Sequence, residues 1–353
     1  MKKIVSRVSR RFFLAGTASA LSAPMLLKAS HAESKSGSLT LTSYGGSYQE
    51  SLIKTVTIPF SEETGIKVNI VPTPDIAKLK AQELTGNVEF DVFAIPDEVA
   101  AYASKQGFWE KLDFSMFDIE DMAIPPTSDL VTSHAYTGGI AWDPKKYGPE
   151  EHPTNFAEYF DLKKYPGRRT FRNHPNETLE AALLADGVSP KDMYPLDIDR
   201  AFKLLDRIKP RIASWITATP QTVSLLQTGE VDFSYTYANR VLSTNEPGVS
   251  KPLAFSFKQN LIGPEKLAVP KGAPHKEDAM KFIAYALRPE VQGRLCDLTA
   301  SVPNSKKAMS MLSSETRKWM PDLTSPNNLI LNGAYWSDNL AAVSRRFKEW
   351  ALT

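Results

Sequence analysis

The sequence lacks the motifs by which many enzymes are recognised. It has no G-x-S-x-G elbow, no H-E-x-x-H pair, no Walker loop and no G-x-G-x-x-G turn. Its histidines after residue 32 are His134, His152, His174 and His275, which are too scattered to suggest a metal cluster. We therefore expect a binding protein with no enzymatic activity, no metal site and no cofactor, although a binding-protein fold can carry catalysis.

The chain also contains little cysteine and has a small net charge. The single cysteine, Cys296, cannot form an internal disulfide, and we expect it to be buried and unreactive. The chain has 42 basic and 40 acidic residues, and six of the basic ones lie in the first 32 residues, which contain no acid. The remainder has 36 basic and 40 acidic residues, a net charge of −4. This balance argues against nucleic acid as a partner.

No hydrophobic run is long enough for a transmembrane helix. The apolar stretch 12–27 is short and rich in Ala, Gly and Ser, and it follows a basic start. The segment SRRFFL at 9–14 matches the twin-arginine export signature, and SHA at 30–32 has the small residues that a signal peptidase requires. We expect residues 1–32 to be a twin-arginine signal peptide, cleaved near Ala32/Glu33, and the mature protein to be periplasmic.

Strand and helix patterns alternate after the predicted cleavage site. Period-two alternation predicts strands near 39–42 and 66–71, and a short apolar run predicts another at 90–95. Helices are predicted at 48–60, 75–84 and 96–106. This alternation is typical of an α/β protein with a parallel, helix-covered sheet.

Two loops in this pattern are candidates for ligand binding. The turn after the first strand contains two aromatic rings, two glycines and a residue that could cap the next helix: Tyr44, Gly45, Gly46, Ser47 and Tyr48. Asp97 and Glu98 follow the third strand. Because ligands of α/β proteins bind at the carboxyl ends of strands, both loops should face one cleft.

Two extended passages, 136–142 and 266–269, flank a block with its own helices and strands. Within this block, helices are predicted at 155–160, 177–185, 198–208 and 219–227, and strands at 168–172 and 231–237. We expect a lobe inserted into another lobe through a hinge. The predicted lobes are residues 33–138 with 270–303, and residues 139–269 with 304–353.

The order of these segments resembles one protein family. SYGGSYQ, NVEFDVFAIPDE, LLQTGEVDFSYTYANR and LAVPKGAPHKEDAMKFIAYALRPEVQ are together similar to the periplasmic solute-binding proteins of ABC importers, family 1, of the spermidine/putrescine-binding type. The resemblance implies a type II periplasmic-binding-protein fold, in which two α/β lobes, each with a mostly parallel sheet, close on a small solute. It also implies a monomer that delivers the solute to an inner-membrane permease.

The resemblance also implies a set of ligand-binding residues. Carboxylates would hold the ends of a protonated amine, and aromatic faces would line its methylene groups. The positions in this sequence that match are Tyr44, Tyr48, Asp97, Glu98, Glu177, Tyr237, Asn239, Glu265, Trp336 and Asp338.

Basic residues near these positions leave the charge of the ligand open. Arg172, His174, Arg240 and Lys266, with the backbone N–H groups of Gly45, Gly46 and Ser47, would suit a carboxylate or a phosphate. A cationic amine is favoured, and a zwitterion or a small anion is the alternative. Iron(III) held by Tyr235 and Tyr237 is a further alternative, since both residues could face one side of a strand. A chemoreceptor partner would use the same cleft.

The export signal can be tested directly. Replacing Arg10 and Arg11 by Lys should leave the precursor in the cytoplasm, because the twin-arginine pathway reads that pair. Cell fractionation and immunoblotting measure the outcome. Normal periplasmic accumulation of the variant would rule out dependence on the twin-arginine pathway.

Overall fold

Alternating strands and helices form the α/β architecture that the sequence predicts. The computed structural model describes residues 37–72, 74–249 and 251–352. The proposed signal peptide and its cleavage site lie outside the described residues. Within these ranges, no helix is both long enough and apolar enough to cross a membrane.

The elements are numbered in chain order. The strands are β1 (Ser38–Ser43), β2 (Lys67–Pro72), β3 (Phe93–Pro96), β4 (Val131–Trp142), β5 (Arg169–Arg172), β6 (Ile212–Ile216), β7 (Phe233–Tyr237), β8 (Ala254–Phe255), β9 (Leu261–Ala268), β10 (Val302–Pro303) and β11 (Leu329–Ile330). The helices are α1 (Gly46–Leu52), α2 (Ile58–Thr64), α3 (Ile76–Thr85), α4 (Asp97–Lys105), α5 (Phe156–Phe160), α6 (Thr178–Ala185), α7 (Ile198–Ile208), α8 (Gln221–Thr228), α9 (Ala238–Ser243), α10 (Lys276–Ala286), α11 (Pro289–Thr299), α12 (Ala308–Met311), α13 (Ser314–Arg317) and α14 (Gly333–Leu352). A π-helical segment, Ile53–Thr57, joins α1 to α2.

Two long strands hold the sheets together. β4 and β9 pair antiparallel, and β3 pairs with the carboxyl-terminal half of β9. The carboxyl-terminal half of β4 pairs with β7, which continues through β5 to β6. β4 and β9 contain the two extended passages that the sequence predicts. These pairings of β4 and β9 are antiparallel, so the larger sheet is mixed. The pairs β1–β2, β5–β6, β5–β7 and β9–β11 are parallel, as predicted.

The hydrophobic residues separate into two groups along these strands. The first group packs around β1, β3 and α10, and its largest buried side chains include Phe60, Phe93 and Phe282. The second packs around β5, β7, α6 and α14, and includes Phe171 and Phe347. We call these two parts the first lobe and the second lobe. The predicted two-lobed α/β fold is confirmed.

Each lobe is a sheet covered on both faces. Ala94 of β3 and Val92 just before it contribute to one cluster of the first lobe, while Phe93 and Ile95 contribute to another. Ile140 and Trp142 of β4 join the main core of the second lobe, and Ala141 packs with residues of α8 and α9. Side chains that alternate along a strand point to opposite faces, so α8 and α9 cover the second face of the second lobe.

The predicted lobe boundaries stay a prediction. The segment after residue 303 contacts the first lobe before it reaches the second: Ser305 bonds to Asp121, and Thr316 donates to the carbonyl of Asp297. Further along, Trp336 is fully buried in the core of the second lobe.

Local signals placed most helix ends correctly. Asp75 accepts from the backbone N–H groups of Ala77 and Lys78 and caps α3, as predicted. Helix α7 spans the predicted residues. Ser47 does not cap the first helix, because that helix begins one residue earlier, at Gly46. The single cysteine is buried and free, and burial raises the pKa of the Cys296 thiol.

Candidate functional site

The carboxyl ends of four strands converge between the two lobes. Tyr44 follows β1, Glu98 follows β3, Arg172 ends β5 and Tyr237 ends β7. The Arg172 guanidinium lies near the Tyr237 ring, and the charge of Glu98 acts on Tyr44. Hydrogen bonds through Glu177 and Tyr136 link Tyr237 to Glu98. The location agrees with the prediction from strand ends, since binding crevices of α/β sheets lie at this edge.

Glu177 lies at the centre of the site. Its Oε1 accepts from the Tyr136 hydroxyl at 2.8 Å, and its Oε2 accepts from the Tyr237 hydroxyl at 2.9 Å. Its φ is +67°, a left-handed conformation that is uncommon for a residue other than glycine. Burial raises the pKa of Glu177, and nearby Arg172 opposes this shift.

Glu98 lies beside Glu177, and one of its oxygens is unsatisfied. Oε1 accepts from the Asn176 side chain at 2.6 Å, with the Tyr136 hydroxyl at 3.5 Å. Oε2 is buried and has no hydrogen-bond partner among the described residues. Burial raises the pKa of Glu98 well above its usual range, and the negative charge of Glu177 adds to the shift.

Arg172 is the basic counterpart of these carboxylates. Its Nε donates to His174 Nε2 at 3.1 Å, and its guanidinium carbon lies 5.9 Å from the ring centroid of Tyr237. Nη1 is buried and has no partner in the part of the chain that the structure describes. Burial and the charge of Arg172 lower the pKa of His174 to about 3, so the imidazole is neutral. Its Nδ1 donates to the carbonyl of Asn176 at 2.8 Å, and it thereby fixes Arg172.

A third buried carboxylate faces the first-lobe turn. Glu265 of β9 is 2% exposed, and its Oε1 accepts from the Tyr44 hydroxyl at 2.8 Å. Burial raises the pKa of Glu265 to about 8, although the hydrogen bond from Tyr44 opposes the shift. The Tyr44 ring packs edge to face against Tyr48, whose own ring is stacked on His134.

Glycines bring the rings to these carboxylates. Tyr136 lies opposite Gly263 in the β4–β9 ladder, and a Cβ at Gly263 would lie 2.1 Å from Cζ of that ring. A Cβ at Gly138 would lie 2.1 Å from the Tyr235 hydroxyl. Both glycines therefore make room for a tyrosine beside Glu177.

Several predicted site residues have other partners. Asp97 pairs with Lys266 at 3.3 Å and lies against Gly333 at the start of α14. Trp336 is fully buried, and its indole N–H donates to Glu180 at 2.8 Å. It therefore does not line the site, in contrast to the position that the resemblance implies. Asp338 is 60% exposed and pairs with Lys105, apart from the carboxylate cluster.

Asn239 and Tyr48 also lie at the margin of the cluster. Asn239 occupies the first turn of α9 and is partly exposed. Tyr48 is buried in the core of the first lobe, with its hydroxyl 3.5 Å from His134 Nε2.

The predicted anion-binding group is arranged differently from the expectation. Arg240 donates to the backbone carbonyls of Gly45 and Tyr44 and to the Thr219 hydroxyl. Burial lowers the pKa of Arg240 to about 10, so the guanidinium stays charged at neutral pH. Gly45 and Gly46 both have positive φ, and Ser47 lies in the first turn of α1.

The tyrosine pair proposed for iron(III) has other contacts. Tyr237 donates to Glu177, and the ring of Tyr235 packs against Phe156 and Phe171 in the second core. No group of three His, Cys, Asp or Glu side chains within the described ranges could hold a metal ion.

Sequence reasoning missed Tyr136 and Asn176, and it considered His174 only as one of the bases that could suit an anionic ligand. Tyr136 is the first residue of the YTGG segment. A glycine within a strand often marks a place that another group approaches closely, and this signal could have drawn attention to the segment. Asn176 lies directly before Glu177, but nothing in the sequence indicates that its amide reaches across to Glu98.

Comparisons with known proteins agree with this geometry. Residues 56–320 match the family described as bacterial extracellular solute-binding protein. A γ-aminobutyric acid-binding protein of Pseudomonas aeruginosa is 31% identical over 335 residues, covering 92% of this chain and 93% of the relative. A spermidine/putrescine-binding periplasmic protein of Escherichia coli is 24% identical over 313 residues, covering 82% of this chain and 85% of the relative.

Solved structures also match nearly the full described chain. PBP AgtB from A. tumefaciens R10, in complex with agropinic acid, is 31% identical with a TM-score of 0.82 and covers 90% of this chain and 99% of that one. PBP AttC from Agrobacterium tumefaciens C58, in an open unliganded conformation, is 27% identical with a TM-score of 0.60, and the match covers 89% of this chain and 99% of that one. The present structure is therefore closer to the liganded relative than to the open one.

Proposed function

We propose that this chain, which belongs to the bacterial extracellular solute-binding proteins, captures a small zwitterionic amine of the γ-aminobutyrate type for an ABC importer. The family membership confirms the resemblance stated from the sequence and the two-lobed fold that it implies. A solute-binding role also agrees with the expectation that the chain is not an enzyme.

One observation carries the choice of ligand. Glu98 Oε2 and Arg172 Nη1 are both buried in the site, and neither has a hydrogen-bond partner among the described residues. An unpaired buried charged group is costly, so each favours a ligand group of opposite charge. An ammonium group at Glu98 and a carboxylate at Arg172 would satisfy both atoms with one zwitterion.

The surrounding residues support that orientation. A single chain of hydrogen bonds runs from Glu98 through Asn176 and His174 to Arg172, which fixes both charges relative to each other. Tyr136 and Tyr237 lie between them, with ring centroids 5.4 Å apart and planes at 87°. These rings would bury the methylene groups of the ligand and support the ammonium group.

A diamine such as putrescine is the second candidate. It is favoured by the excess of buried acid: Glu98, Glu177 and Glu265 are each no more than 2% exposed. In that case Glu265 would hold the second ammonium group. The unpartnered nitrogen of Arg172 argues against this arrangement, because a second cation would leave the guanidinium unpaired and add repulsion.

The relatives support the location and the partner. One relative is named a γ-aminobutyric acid-binding protein, and the other is named a spermidine/putrescine-binding periplasmic protein. We therefore infer that this chain works in the periplasm and delivers its solute to an inner-membrane permease, and that the twin-arginine signal takes it there. The monomeric state stays a prediction.

The charge assignment predicts a reciprocal pattern of affinities. Arg172→Gln should weaken γ-aminobutyrate tenfold to about a hundredfold and leave butylamine unchanged, because a charge-assisted hydrogen bond contributes about 1.5–3 kcal/mol. Glu98→Gln should weaken both γ-aminobutyrate and butylamine and leave butyrate unchanged. Isothermal titration calorimetry with the three ligands measures each affinity.

Asp338→Asn is the matched control for this series. It removes a carboxylate that the resemblance also assigned to the ligand but that is exposed and paired with Lys105, so γ-aminobutyrate affinity should not change. The assignment fails if wild-type protein prefers putrescine and Arg172→Gln improves putrescine binding.

The same assignment predicts proton release on binding. Burial and the negative charge of Glu177 raise the pKa of Glu98 in the ligand-free protein, so its carboxyl group holds a proton more readily than a solvated glutamate does. A bound ammonium group favours the carboxylate, so binding releases a proton, and affinity should rise with pH through the pKa of Glu98 and then level off. Calorimetry at one pH in phosphate and in Tris measures the number of protons released.

Two variants locate that proton. Release should disappear in Glu98→Gln and persist in Glu265→Gln, although burial also raises the pKa of Glu265, to about 8. The opposite result would move the ammonium group to Glu265.

A further inference from the structure

We propose that Arg240 is a closure latch: its guanidinium group bonds the second lobe to the backbone of the β1–α1 turn and sets how long the closed protein stays closed. This inference rests on the proposed function only in that closure retains the solute. It differs from the sequence-based expectation that Arg240 binds an anionic ligand.

The latch joins two separately packed parts of the molecule. Arg240 lies on α9, whose Val241 packs with Leu226 of α8 over the second lobe. The β1–α1 turn lies between Leu41 and Tyr48, both in the core of the first lobe. A bond between Arg240 and this turn therefore crosses the interface between the lobes.

The donors of Arg240 are directed at the protein backbone. Nη1 donates to the carbonyl of Gly45 at 2.9 Å. Nη2 donates to the Thr219 hydroxyl at 2.7 Å and to the carbonyl of Tyr44 at 3.3 Å. Thr219 belongs to the second lobe and orients the guanidinium, while the two carbonyls belong to the first lobe. Arg240 is 3% exposed, so these bonds are shielded from water.

Gly46 makes the close approach possible. A Cβ at Gly46 would lie 2.7 Å from Arg240 Nη1 and 3.1 Å from Cγ of Pro220, which precedes α8. Gly45 also has a positive φ, but a Cβ there would meet nothing within 4 Å. The first glycine thus serves the shape of the turn, and the second also serves the contact with the other lobe.

The contrast with Arg172 separates the two roles. Arg172 has a buried nitrogen without a partner and neighbours the central carboxylates, which suits a ligand group. Both terminal nitrogens of Arg240 are already bonded across the interface. A latch acts on closure, so it should affect every ligand alike, whereas a ligand anchor discriminates by ligand charge.

The test measures closure with and without ligand. Lys54 on the first lobe and Ser224 on α8 are exposed, and spin labels on cysteines at these positions report the distance between the lobes. In Arg240→Lys the ligand-free distance distribution should shift toward longer distances. Because one ammonium group cannot replace both cross-lobe bonds, stopped-flow dissociation of γ-aminobutyrate and of putrescine should each accelerate about tenfold or more.

Matched variants control for charge and for backbone strain. Arg294→Lys changes an arginine that donates to the Thr55 carbonyl within the first lobe, and it should leave distances and dissociation rates unchanged. Gly46→Ala should lengthen the ligand-free distance and accelerate dissociation, as Arg240→Lys does. Gly45→Ala strains the turn without a clash, so it should accelerate dissociation less.

Two results would overturn the latch. One is unchanged distances and dissociation rates in both Arg240→Lys and Gly46→Ala. The other is an Arg240→Lys effect confined to γ-aminobutyrate, which would make Arg240 a carboxylate anchor. If the wild-type protein binds neither probe, the proposed function fails, while the ligand-free distances still decide the latch.

Discussion

Buried charge between two lobes is the constraint on which this structure depends. Glu98, Glu177 and Glu265 are removed from water between the lobes, and an isolated buried carboxylate is unfavourable. The protein offsets this cost with donors from neighbouring elements, chiefly the hydroxyls of Tyr44 and Tyr136. The compensation is incomplete at Glu98 and Arg172, and we infer that the solute supplies what is missing.

The site depends on backbone positions at which few residue types can be accommodated. Glu177 has a positive φ, and Gly138 and Gly263 provide room for the rings of Tyr235 and Tyr136. Strain of this kind persists only where surrounding contacts over-determine it. Here two tyrosine hydroxyls hold the Glu177 carboxylate, and β4 and β9, which carry both glycines, also connect the two lobes. Binding geometry and lobe connection therefore share the same two strands.

Much of the fold could be predicted from local signals. The hydrophobic periodicity of α7 and the helix cap at Asp75 depend only on residues close in sequence, and the structure has both. The site was harder, because its decisive contacts join residues far apart in sequence. The amide of Asn176 reaches Glu98, and Arg240 reaches the turn at Gly45. Trp336 matched an aromatic ligand position by resemblance, but its indole serves Glu180 in the core.

The most direct test of the central claim is a crystal structure of the protein with γ-aminobutyrate. The account predicts the ammonium nitrogen within about 3 Å of Glu98 Oε2 and a carboxylate oxygen within about 3 Å of Arg172 Nη1. It also predicts that Arg240 keeps its bonds to the β1–α1 turn. A ligand carboxylate on Arg240, or an ammonium group at Glu265 with Glu98 unengaged, would contradict it.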